Sequence, residues 1–228
     1  MHYIDVPYIK DDVKNVPAEL NVSSNPWAIN QGVSTLRSTA ALDLDRARAL
    51  RFVLHFVGDI HQPLHATSLY SNEFPPPDGD QGGNYYLISG VAARNLHSLW
   101  DGGLGQWSSA PARPLTPAGN ESIITAAAAI EAEFPSSTLQ PELAVTDPFE
   151  WTRESYVVAV NFVYTCPQAS EGDVPQAYLD DGFVIAKRQV AIAGYRLALL
   201  LDDIFAAGPP VKRGSLRGSA LKAGARAA

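Results

Sequence analysis

The sequence is poor in sulfur, with one cysteine and one methionine among 228 residues. A lone Cys166 cannot close an internal disulfide, so cysteine usage defines neither a stapled fold nor a compartment. Long apolar runs are missing as well. No stretch of eighteen apolar residues occurs, which excludes a membrane-spanning helix of ordinary length. The opening Met1-His2-Tyr3-Ile4-Asp5 lacks a basic start followed by an apolar stretch, so no secretory signal is read there. Basic residues are scarce: 17 Lys and Arg stand against 24 Asp and Glu, for a net charge of −7. Five of those bases sit in residues 207–228, which hold no acid, leaving 24 acids against 12 bases in the rest. An acidic body argues against electrostatic wrapping of a nucleic-acid duplex. It does not exclude phosphate chemistry carried by bound cations, because such ions reverse the local field.

What is present suits one large, mainly α domain over residues 1–206, bundle-like, with a disordered basic tail over 207–228. Hydrophobic content is 46%, enough for a core without staples. Residues 1–26 read as irregular, with Pro7, Pro17, Pro26 and a Ser23-Ser24-Asn25 cluster. Helical spacing appears over 27–40, and most strongly over 43–61, where Leu50, Val53, Leu54 and Val57 form an apolar stripe. Pro63 ends or bends that helix. Residues 66–94 read as a long loop, with Tyr85-Tyr86-Leu87-Ile88 a short strand or hairpin arm near 80–92. Further helices are expected near 95–101, over 117–133, over 147–165 behind an Asp147-Pro148 start, and over 174–206. Phe183, Val190, Ala193, Leu197, Leu200 and Ile204 line one side of the last.

The histidines carry the chemistry. His55 and Asp59 are four residues apart, as are His97 and Asp101, so on helices each pair shares a face. Imidazole nitrogen and carboxylate oxygen are the donors that zinc takes at about 2.0–2.2 Å. One such pair alone is more often a surface ion pair; two pairs, with His65 just past a proline bend, point to metal. His61 reads as an exposed structural residue. Taken alone, Tyr3 and Asp5 read as a core aromatic and a turn aspartate. Asn84, after Gly82-Gly83, either orients a ligand or takes a left-handed turn. Asn21-Val22-Ser23 and Asn120-Glu121-Ser122 match the glycosylation acceptor pattern.

The stretches LHFVGDIHQPLHA, GDQGGNYY and NLHSLWDGGL resemble the zinc-dependent single-strand nucleases of the S1/P1 family, related in fold to the zinc phospholipases C. HYID at residues 2–5, WTRES at 151–155 and AGYRLALLLDDIF at 193–205 resemble it too. The resemblance implies a three-zinc site. His2, His55 and Asp59 would bind the first ion, Asp59 would bridge to a second, and His65, His97 and Asp101 would bind the third. It assigns Asp59, His55 and His2 to catalysis, and Tyr3, Asp5 and Asn84 to substrate. The implied reaction is hydrolysis of single-stranded DNA and RNA to 5′-phosphorylated products, with 3′-nucleotidase activity, by a secreted, monomeric glycoprotein.

The chain departs from that pattern at its start. The family's N-terminal tryptophan, nearby histidine and later aspartate, all metal ligands, have no counterpart before His2. The expectation is therefore an N-terminally incomplete chain that retains one or two zinc ions and is weakly active or inactive beside a longer form. Two other readings stay open: a phospholipase C-like phosphodiesterase, and a truncated, non-catalytic zinc-binding protein.

Overall fold

The computed structural model describes residues 2–18, 23–107 and 111–206. The tail expected over 207–228 and the acceptor Asn21 lie outside them. The described chain is mainly α, as expected, with seven α-helices and one two-stranded sheet. None of these helices is long and apolar enough to cross a membrane.

Helices α1 (Asn25–Arg37) and α2 (Asp43–Asp59) pack side by side. Gly32 sets their approach: a Cβ there would stand 2.6 Å from Val53 Cγ2. Ile29, Leu36, Val53 and Val57 are buried between them, joined by Trp151 of α6 (Pro148–Asn161) and Ile204 of α7 (Gln176–Ala206). Each such aliphatic side chain contributes about 1.5–3 kcal/mol on full burial. A second core gathers Leu64, Leu69, the short α3 (Leu96–Asp101), Val163, Tyr164 and the first half of α7. Because α7 enters both cores, it ties them together. Helix α4 (Pro117–Glu133) has no buried residue, and the four-residue α5 (Gln140–Leu143) leads towards α6.

Two stretches read as irregular contain strands. β1 (Val6–Ile9) pairs in parallel with β2 (Thr67–Tyr70), in the register Val6 with Thr67 to Ile9 with Tyr70. Four residues are too few to show alternation, and Pro7 argues against a central strand; a two-stranded sheet has only edges, where proline is tolerated. Burial on β2 is complete, so its side chains show no polar face. The strand expected at Tyr85–Ile88 is reduced to one antiparallel bridge, Leu87 to Asn95. The rest of that loop is organised by the buried Asp80 carboxylate. It accepts from Leu69 N–H at 2.8 Å, Gly83 N–H at 2.9 Å and Tyr164 O–H at 2.8 Å.

The apolar stripes also need correction. Leu54 and Val190 are each 45% exposed, and both line an apolar cleft of about 430 Å³ between α2 and α7. A heptad-like pattern identifies a helix but does not show where the bundle opens.

His61 is not exposed: only 3% of its surface reaches solvent. Its Nδ1–H donates to Val57 O at 2.7 Å, and Nε2 accepts from the Arg196 guanidinium at 3.0 Å. The ring also lies against Trp151. Arg196 in turn donates to Glu142 O and pairs with Glu154 at 2.7 Å. Burial first, and the Arg196 charge besides, push the His61 pKa down to about 3, although the Val57 hydrogen bond opposes this. The folded chain therefore holds His61 neutral, with a pKa below its unfolded value. Its contribution to stability is complete above about pH 6.5 and is lost as the pH falls towards 3. Between pH 6.5 and 5, the wild type is expected to lose about 1.5–2 kcal/mol more stability than His61→Gln, measured by urea unfolding of the metal-free proteins.

A candidate metal centre

The sheet register decides where the N-terminus lies. Ile4 N–H donates to His65 O at 2.9 Å, ahead of β1 and β2, so residues 2–5 run beside the Pro63–His65 turn. His2 thereby reaches the C-terminal end of α2. His2 Nδ1 stands 3.0 Å from Asp59 Oδ2 and 3.0 Å from His55 Nε2; His55 Nε2 is 3.1 Å from the same carboxylate oxygen. Donors held about 2.0–2.1 Å from one tetrahedral ion would be about 3.3 Å apart. Two ring nitrogens and a carboxylate oxygen converging this closely form a set of donors with the spacing to hold a cation. His2 and His55 are largely open to solvent, while only 17% of the Asp59 side chain is exposed.

The second group is more enclosed. His65 Nδ1–H donates to His2 O at 3.0 Å, and His97 Nδ1–H donates to Gly82 O at 2.7 Å. Both Nε2 atoms are thus left with lone pairs turned towards Asp101: His65 Nε2 is 3.7 Å from Oδ1, and His97 Nε2 is 3.5 Å from Oδ2. Binding one ring nitrogen to a main-chain carbonyl is how proteins fix the tautomer and orientation of metal-ligating histidines. Burial alone would lower the His65 pKa, but the facing Asp101 carboxylate and the Asp59 charge raise it overall. Asp101 shows the reciprocal effect: burial acts to raise its pKa, while His65, Gln62 and the histidine charges bring it below the usual carboxylate range.

The two triads, His2–His55–Asp59 and His65–His97–Asp101, are the groups of donors among the described residues spaced to hold an ion. They are adjacent, with Asp59 Oδ1 4.0 Å from His65 Nδ1. His2 belongs to both arrangements, its ring to the first and its carbonyl to the second. All six residues expected as ligands are accordingly brought together.

Tyr3, Asp5 and Asn84 line one cleft of about 460 Å³, together with Tyr70, Gln81 and His97. Tyr3 is 55% exposed, so its ring is free to receive a partner. Positive φ falls on Gln81, Gly82 and Gly83 and not on Asn84. The side-chain amide of Asn84 donates to Gln81 O at 2.9 Å. Sequence reasoning missed the supporting residues: Gly82, whose carbonyl aims His97, and Gln62, whose amide reaches Asp101. The Gln-Pro step before a short helix is a capping signal that could have drawn notice to the latter.

The model of the S1/P1 Nuclease family matches residues 1–206. The chain belongs to the S1/P1 nuclease family. Its relatives include Endonuclease 4 of Arabidopsis thaliana, 25% identical over 92% of this chain and 71% of that protein. Nuclease S1 of Aspergillus oryzae is 27% identical over 68% of this chain and 54% of its own length. Endonuclease 2 of Arabidopsis thaliana is 29% identical over 69% and 51%. The chain thus spans about half to seven tenths of the length of these relatives. Both triads and the adjoining cleft fall inside the stretch that matches the S1/P1 model.

Gly82 offers a sharp test of the site's construction. Its φ is +61°, and a Cβ there would stand 2.5 Å from Leu64 O. Gly82→Ala must shift the carbonyl that aims His97. Zinc affinity at the His65–His97–Asp101 triad is expected to fall about 10–100-fold, with the other triad unaffected, as read by competition against a chelator.

Proposed function

We propose that this chain is a zinc-dependent endonuclease that hydrolyses phosphodiester bonds of single-stranded DNA and RNA to 5′-phosphorylated products, with 3′-nucleotidase activity. The observation that carries this reading is the meeting of two three-donor triads with a cleft that presents an exposed aromatic ring. His2, His55 and Asp59 would hold one zinc ion, and His65, His97 and Asp101 another. Bound zinc supplies Lewis acidity: it allows water to ionise near neutral pH and offsets charge on the phosphate.

The remaining roles belong to the protein. Asp59, Asp101 and Asp5 make the centre acidic, so a phosphate approaches only when cations neutralise it. Asp59 faces both triads and would keep the two ions in register. Tyr3 would stack an unpaired base, and the Asp5 carboxylate would accept hydrogen bonds from the edge of that base. Asn84, already oriented by Gln81, would present its amide oxygen to the nucleotide. Stacking needs a base that has left its duplex, which accounts for single-strand preference without sequence preference.

Three measurements test the reading. Chelator-treated protein is expected to cut a single-stranded oligonucleotide only after zinc is restored, and Asp59→Asn to lower the rate at least about a hundredfold, since second-shell changes alone cost 10–100-fold. Tyr3→Ala is expected to weaken single-strand binding by about 1–3 kcal/mol, roughly 5–150-fold. Because the relatives are longer, the rates are best taken beside a form extended to their length. Metal-independent cleavage, or duplex cut as readily as single strands, would remove the proposal.

A further inference from the structure

Gln62 lies in the turn between the triads and belongs to neither. Its side chain is committed at both ends. Oε1 accepts the Leu64 N–H at 2.6 Å, and Nε2 donates to Asp101 Oδ1 at 2.8 Å. A main-chain N–H can only donate, so the amide faces one way round, with its donor towards Asp101.

Asp101 has little else to hold it. It is the last residue of the six-residue α3, Gly102 follows, and half of its side chain is exposed. With Oδ1 engaged by Gln62, Oδ2 faces His97 Nε2 at 3.5 Å. The backbone under Gln62 is itself anchored. Gln62 N–H donates to Asp59 O at 3.0 Å, Ser155 Oγ–H to Ile60 O at 2.7 Å and the Gln189 amide to His61 O at 3.1 Å. Behind it, the His61 ring is gripped by Val57 O and Arg196.

We propose that Gln62 is a positioning residue of the second triad. Its amide presents the Asp101 carboxylate to the ion shared with His65 and His97, from the turn that directly follows Asp59. The inference rests on the metal-binding part of the proposed function and is independent of which polymer is cut.

Gln62→Asn separates this role from a structural one. A shorter amide still caps Leu64 N–H, as asparagine does at helix starts, but its donor falls short of Asp101. Gln62→Met removes both contacts. Zinc competition against a chelator is the readout, with His55→Ala and His97→Ala assigning each ion to its triad. Gln62→Asn is expected to lose about 10–100-fold in affinity at the second triad only, with the melting midpoint of the metal-free protein unchanged. In an Asp101→Asn background, Gln62→Met is expected to cause no further loss, because the two act as a unit. Wild-type affinity in Gln62→Asn, equal losses at both triads, or losses that follow a lowered metal-free midpoint would each overturn the proposal. A wild type that binds both ions yet cuts no nucleic acid removes the nuclease reading and leaves the role of Gln62 standing.

Discussion

The parallel pairing of Val6–Ile9 with Thr67–Tyr70 is the constraint on which the centre depends. Four of the six donors are local affairs: His55 with Asp59 on α2, and His97 with Asp101 on α3. The strand pairing, across about sixty residues, brings His2 to α2 and its carbonyl to His65, and Asn25 of α1 holds the same segment through His2 O and Tyr3 O. A one-residue slip in register would turn every β1 side chain to the opposite face and move His2 away from Asp59. The buried β2, with Asp80 bonded to Leu69 N–H, opposes that slip.

A second layer of order comes from main-chain carbonyls. His65 and His97 are each aimed by a carbonyl, of His2 and of Gly82, and the buried His61 by that of Val57. Each bond selects which nitrogen keeps its lone pair. For His65 and His97 the free nitrogen turns to Asp101; for His61 it turns to Arg196. The same imidazole chemistry is thus put to opposite ends by what lies in front of Nε2: an open carboxylate in one case, a buried guanidinium in the other.

Much of this was legible in the sequence, for physical reasons that differ by element. α2, α6 and α7 are long enough for apolar periodicity to show, and Asp147-Pro148 marks the start of α6 within a residue. The six donors stand in motifs dense enough to be read together. The strands were not legible, because four residues carry no alternation and Pro7 points the other way. The burial of His61 was hidden because its partner, Arg196, lies 135 residues along the chain. Leu54 and Val190 were misplaced because a stripe of apolar residues says that a helix packs, not that its neighbour covers every turn. That Asn84 is not itself left-handed shows only in the backbone angles, which put the left-handed residues at 81–83.

The ordering of the donors along the chain has a consequence for biogenesis. All six lie between His2 and Asp101, while α6 and α7, which grip the turn through Ser155, Gln189 and Arg196, come later. During synthesis the donors leave the ribosome well before their buttress exists. Until the last helix closes over the bend, those histidines lack the packing that fixes their geometry, so the donor arrangement is completed by the most C-terminal part of the fold.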